Sequence, residues 1–140
     1  MAELLLQDAL SRADRTAHVE SAGLGALEGY PADPEAIRLL AERSLDLASH
    51  RARQLTGAMV SSSDLVLVMD SGHRRELLRR WPFAHGRVFL LGHAGGYDVP
   101  DPYKRGPEAF AEALRLIDRG INEWLPKLIS LVPPAQVKKA

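Results

Sequence analysis

Cysteine is absent from all 140 residues, which excludes disulfides, thiolate metal sites and thiol nucleophiles supplied by these residues themselves. No sign of charge dominates: 18 Lys and Arg face 18 Asp and Glu, for a formal net charge of zero. Like charges gather only at His73-Arg74-Arg75 and Arg79-Arg80, which gives no electrostatic footing for nucleic-acid binding and points to a small or local partner. No run approaches the roughly eighteen consecutive apolar residues of a spanning helix. The first residues also lack the basic-then-apolar layout of a signal peptide, so the expectation is a cytoplasmic location without membrane insertion. His18, His50, His73, His85 and His93 show no close ligand spacing with carboxylates, so neither metal nor other cofactor is expected. What remains fits one domain, with a single core burying about two-thirds of the unfolded surface.

Leu4, Leu5, Leu6, Ala9, Leu10 and Ala13 recur at three- and four-residue spacing, which predicts an amphipathic helix opening at the first residue with no cap ahead of it. Ala17–Ser21 reads as a short strand, and Ala22 to Pro31 as a long loop of small and turn residues. Asp33-Pro34 opens a second helix with Ala36, Ile37, Leu39, Leu40 and Leu45 on its apolar face. Thr56 caps a short helical turn, and the apolar run within 64–69 has the length of a strand buried on both faces. Asp70 is expected to cap a helix read over 74–81, with Arg74, Arg75, Arg79 and Arg80 on its solvated face and Pro82 as its stop. Residues 87–92 form a second buried strand, 93–97 an irregular turn, and Pro107 starts a helix whose stripe is Phe110, Ala113, Leu114, Ile117, Ile121 and Leu125. The domain is placed at 1–129 and a loose tail at 130–140. Helices alternating with buried strands predict an α/β domain with a parallel sheet, whose ligands bind beyond the carboxyl ends of the strands, near Ser21, Asp70 and Gly92.

The chemistry-bearing stretch is Val99-Pro100-Asp101-Pro102-Tyr103-Lys104-Arg105-Gly106-Pro107. Each proline fixes its own φ and pushes the residue before it towards extended geometry, so Asp101 is pinned and its carboxyl has a defined direction. That suits proton transfer. Turn chemistry offers a plainer reading, in which Asp101 is a turn acid that caps the helix from 107.

Taken in order, Ala2-Glu3, Ser21-Ala22-Gly23, Pro31-Ala32-Asp33-Pro34, His50-Arg51-Ala52-Arg53-Gln54, Val68-Met69-Asp70 and Asp101-Pro102-Tyr103 resemble the low-molecular-weight protein tyrosine phosphatases along nearly the whole chain. Gly25-Ala26-Leu27, Phe89-Leu90-Leu91-Gly92-His93 and Tyr103-Lys104 look most like the bacterial branch associated with exopolysaccharide or capsule export. The resemblance implies a three-layer α/β fold of the phosphotyrosine-phosphatase I type with a small parallel sheet. It also implies hydrolysis of phosphotyrosine in proteins, including bacterial tyrosine autokinases, through a phosphocysteine. By the same resemblance Asp101 is the general acid and later the base, and Tyr103 and Leu27 flank the substrate ring. Ser21 and His50 then support the phosphate loop by hydrogen bonds. Beside these stand an ordinary surface tyrosine for Tyr103 and a packing role for Leu27, and Lys104 departs from the paired aromatics of other branches.

The family's nucleophilic cysteine and phosphate-gripping arginine lie in a C-x5-R loop after the first, central strand, and that loop ends in Arg-Ser-Pro just before the first helix. This chain begins at the next position, so strand, cysteine and arginine are expected upstream of Met1. The 140 residues by themselves are expected to be inactive. The alternative is a non-catalytic pseudophosphatase that binds or regulates, with Asp101 an inherited turn residue.

Overall fold

The computed structural model describes residues 1–132 and 134. In chain order the elements are α1 (Ala2–Arg12), α2 (Pro34–Ala41), α3 (Gly57–Ser62), β1 (Val66–Val68), α4 (Ser71–Arg80), a 3-10 turn (Pro82–Ala84), β2 (Val88–Leu90) and α5 (Pro107–Leu131). Short polar side chains set three of the helix starts. Asp33 accepts from the Glu35 amide at 2.9 Å, Thr56 from Met59 at 3.2 Å and Asp70 from His73 at 2.7 Å. The last of these starts α4 at Ser71, three residues ahead of the expected position, because the cap extends the helix back to its own side chain.

β1 and β2 pair in parallel, with Val66 opposite Val88, Leu67 opposite Phe89 and Val68 opposite Leu90. Side chains alternate faces along a strand, and here the alternation sorts two hydrophobic clusters. Leu67, Met69, Phe89 and Leu91 join a large cluster built by α1, α2 and α5. Val66, Val68, Val88 and Leu90 join a smaller one with Val60, Leu77, Leu78 and Ala84. Helical cover on both faces is what a parallel sheet requires. The Trp124 indole N–H donates to the Leu90 carbonyl at 3.2 Å, tying α5 to the end of β2.

Two expectations are corrected. The strands are three residues long rather than six, and Val66, Leu67, Phe89 and Leu90 are only half-buried. A two-stranded sheet has an edge on each side, so neither strand is enclosed. Ala17–Ser21 forms no strand. Ala17 and Val19 still pack on the large cluster, but among the described residues no ladder partner runs beside them, and a strand exists only by its inter-strand hydrogen bonds. The helix read from Pro107 continues to Leu131, two residues into the stretch assigned to a tail; residues 133 and 135–140 of that tail lie outside the described residues.

Candidate active site

The loop after β2 is anchored before it reaches the cleft. Asp98 accepts from the Ser71 amide at 3.2 Å and from its hydroxyl at 3.0 Å. Val99 is buried and donates its amide to the Met69 carbonyl at 2.8 Å. The loop is thus fastened to the carboxyl end of β1, and Asp101 follows two residues on, exposed. Its Oδ1 accepts from the Tyr103 amide at 3.0 Å, an Asx turn that pins one oxygen to the loop. Among the described residues its Oδ2 has no hydrogen-bond partner. The helix-cap reading of Asp101 is corrected: the N-cap of α5 is Gly106 at φ 88°, with no side-chain cap.

Asp101 and Tyr103 line a cleft of about 300 Å³ together with Tyr30, Pro31, His50 and Met1, over an apolar floor that includes Leu47 and Phe110. Helix α1 begins at this cleft with no side chain capping it, so its unpaired N–H groups and the positive end of its dipole lie at the cleft wall.

Ser21 and His50 meet through a third residue. The Ser21 hydroxyl donates to Glu3 Oε1 at 3.0 Å, while His50 Nδ1 and an Arg53 nitrogen each lie 3.7 Å from the same carboxylate. Arg53 also pairs with Glu20 at 2.9 Å. Glu3 therefore fixes the first turn of α1 against residues 21, 50 and 53. His50 lines the cleft and Ser21 does not.

The long loop 22–31 is clasped to residues 51–55. Gly23 bonds on either side of Gln54, donating to the Arg53 carbonyl at 3.0 Å and accepting from the Leu55 amide at 2.9 Å. At the other end Gly29 donates to the Ala52 carbonyl at 2.8 Å and Ala52 to that of Tyr30 at 2.9 Å. The Gln54 side chain bonds the Ala26 amide at 2.9 Å and the Leu24 carbonyl at 2.8 Å. Leu27 rides on the tip, 62% exposed and outside the cleft lining. The structure therefore brings Asp101, Tyr103 and His50 to one cleft, links Ser21 to it through Glu3, and leaves Leu27 apart.

Sequence reasoning missed Glu3 and Tyr30. Glu3 reads as one polar residue among several on α1, and its partners lie far along the chain. Tyr30 carried a readable signal, an aromatic between Gly29 and Pro31 directly before Ala32-Asp33-Pro34. Among the described residues no three His, Asp or Glu side chains gather closely enough to hold a metal ion, and no helix is long and apolar enough to cross a membrane.

Known proteins are similar to this chain in sequence and in fold. The sequence pattern of the family described as low molecular weight phosphotyrosine protein phosphatase matches residues 1–139. The probable low molecular weight protein-tyrosine-phosphatase EpsP of Ralstonia nicotianae is 45% identical over 131 residues, which are 94% of this chain and 88% of that protein. The low molecular weight protein-tyrosine-phosphatase Wzb of Escherichia coli is 41% identical over 111 residues, 79% of this chain and 76% of its own. The structure of Vibrio vulnificus Wzb in complex with benzylphosphonate superposes with a TM-score of 0.82 at 40% identity, covering 90% of this chain and 87% of that one. With a match along nearly its full length and the acid-bearing loop set over the start of α1, the chain belongs to the low molecular weight phosphotyrosine protein phosphatase family.

Proposed function

We propose that the natural product containing these residues hydrolyses phosphotyrosine in proteins, and that it draws its thiol nucleophile and phosphate-gripping guanidinium from a segment ahead of Met1. The observation that carries this reading is the placement of Asp101 and Tyr103 across one cleft from the uncapped start of α1. A helix N-terminus favours a phosphate group, Tyr103 offers a wall for a ring, and the free Oδ2 of Asp101 is the group suited to proton delivery. The thiolate attacks phosphorus, forming the S–P bond as the P–O bond to tyrosine breaks. Asp101, entering protonated, gives its proton to the departing phenolic oxygen, whose pKa of about 10 makes it a poor leaving group as the anion. Asp101, now a carboxylate, then takes a proton from the water that attacks phosphorus and releases the thiolate.

The phosphatase reading requires that segment, because the 140 residues hold no cysteine. Benzylphosphonate, held by Vibrio vulnificus Wzb, has the ring-plus-phosphoryl shape of the proposed substrate head. The substrates we favour are tyrosine kinases of exopolysaccharide export, met in the cytoplasm. The test pairs an intact mass of the natural product with its turnover of a phosphotyrosine peptide. An extension carrying Cys and Arg, together with turnover that Asp101→Asn slows far more for phosphotyrosine than for esters of better leaving groups, is the expected result. A mass equal to Met1–Ala140 with no turnover overturns it. That outcome favours a second reading, a non-catalytic phosphotyrosine-binding domain, which the missing cysteine itself supports.

A further inference from the structure

The acid-bearing loop is gripped on one side of Asp101 only. Among the described residues, the hydrogen bonds of 100–105 stay within the segment: the Arg105 amide donates to the Pro102 carbonyl at 3.0 Å and the Tyr103 amide to Asp101 Oδ1 at 3.0 Å. What places Asp101 therefore lies before Pro100. There the Val99 amide donates to the Met69 carbonyl at 2.8 Å. The Asp98 carboxylate accepts from both the amide and the hydroxyl of Ser71, at 3.2 and 3.0 Å. Ser71 is the first residue of α4, where the leading amides have no partner inside the helix and the dipole favours a negative charge. Asp70 takes the His73 amide, and Asp98, arriving from another segment, takes that of Ser71. Pro100 has its φ fixed. Few torsions between Val99 and Asp101 can then take up slack, so a shift at Asp98 is passed on to Asp101.

We propose that Asp98 is the positioning residue of the acid-bearing loop, holding Asp101 over the cleft by its grip on the first turn of α4; this rests on the phosphatase reading above. The Val99–Met69 bond by itself is a single point about which the loop can pivot, and the Asp98 grip supplies the second point that stops the pivot. Asp98 does not line the cleft, so it acts through Asp101 and not on the substrate. Proton delivery needs the acid within hydrogen-bond reach of the departing oxygen, and a displacement of about 1 Å at a reacting group can cost about 100-fold in rate.

The test uses the full natural product and compares a phosphotyrosine peptide with dinitrophenyl phosphate, whose leaving group departs without a proton. Asp98 is exposed, so its variants keep the core. Asp98→Ala should lower kcat/KM about tenfold for the peptide and less than about twofold for dinitrophenyl phosphate. Added to Asp101→Asn, the same substitution should cost the peptide no more than about twofold further, since nothing is left to position. Asp98→Asn keeps an acceptor for Ser71 and should stay within about threefold of the unsubstituted protein. Equal losses on both esters, additive losses in the double variant, or Asp98→Asn as impaired as Asp98→Ala overturns the proposal. The grip is also read without catalysis, as deuterium uptake at the Val99 amide, which should rise about tenfold in Asp98→Ala and hold steady in Asp98→Asn. Unchanged uptake in Asp98→Ala overturns the proposal with or without turnover. A protein that turns over neither ester yet shows the rise defeats only the phosphatase reading, and the hold of Asp98 on the loop stands.

Discussion

The two hydrophobic clusters divide the molecule by purpose. The large one, under α1, α2 and α5, has an open end: Ala36, Leu47 and Phe110 belong both to its buried interior and to the cleft. The small one, between the sheet and α3, α4 and the 3-10 turn, is closed, with Val60, Leu77, Ala84 and Val88 each at most 1% exposed. None of its buried residues touches the cleft. The candidate site of this chain thus lies on the rim of one core while the other backs the sheet. Loss of packing should therefore reach function from one side only.

The sharpest way to break that comparison is a pair of deletions. Phe110→Ala should lower stability by about 3–5 kcal/mol and weaken benzylphosphonate binding as well, because the cleft floor collapses or fills with water. Leu77→Ala should lower stability by about 2–5 kcal/mol with the binding constant unchanged at temperatures where the variant is folded. Urea denaturation and calorimetry on both decide the matter, and altered binding in the Leu77 variant would show that the two cores are coupled. Next in size is Gly120→Ala. Its Cβ would sit 2.6 Å from Leu91 Cγ and 2.9 Å from the Leu91 carbonyl oxygen. Although alanine suits a helix better, the displacement of α5 from the end of β2 should dominate, with a loss of about 1–3 kcal/mol by denaturant melt.

Smaller still is the cap of α4. Asp70→Ala removes the acceptor for the His73 amide and should lower stability by about 1 kcal/mol, read from the shift of the urea midpoint. The smallest effect concerns Glu76, whose carboxyl Arg79 and Arg80 hold at about 2, below its ordinary 4.5. A depressed carboxylate favours the folded state fully above 4.5, and that contribution fades as pH falls towards 2. All three side chains are solvated, so screening leaves the effect slight. A stability–pH profile of Glu76→Gln should match wild type at the acid end and fall marginally below it at neutrality. Added salt should close the gap.

Local chemistry was legible wherever a residue acts on its own neighbours. Asp33-Pro34, Thr56 and Asp70 announce helix starts because each caps an amide two or three residues on. The stripe on α5 is legible because one helix face is one core face. Strand extent was not, since Val66–Val68 is a strand only where Val88–Leu90 lies alongside, and Ala17–Ser21 has the composition without the partner. At the site, Asp101 and Tyr103 were readable from the prolines around them. The bond from the Tyr103 amide was not, so the plainer of the two readings of Asp101 made it a helix cap. Glu3 was hidden because its meaning lies in Ser21, His50 and Arg53, a convergence that only the folded chain creates.

The clasp between residues 22–31 and 51–55 also makes a statement about motion. Four amides, those of Gly23, Gly29, Ala52 and Leu55, all close bonds between the same two segments. The amide protons of residues joined in one cooperative unit exchange with solvent at a common free energy of opening. Deuterium uptake at these four positions should therefore rise together, while Gly25 and Leu27 at the tip exchange on their own schedule. The loop that carries Tyr30 should therefore open as one piece rather than residue by residue.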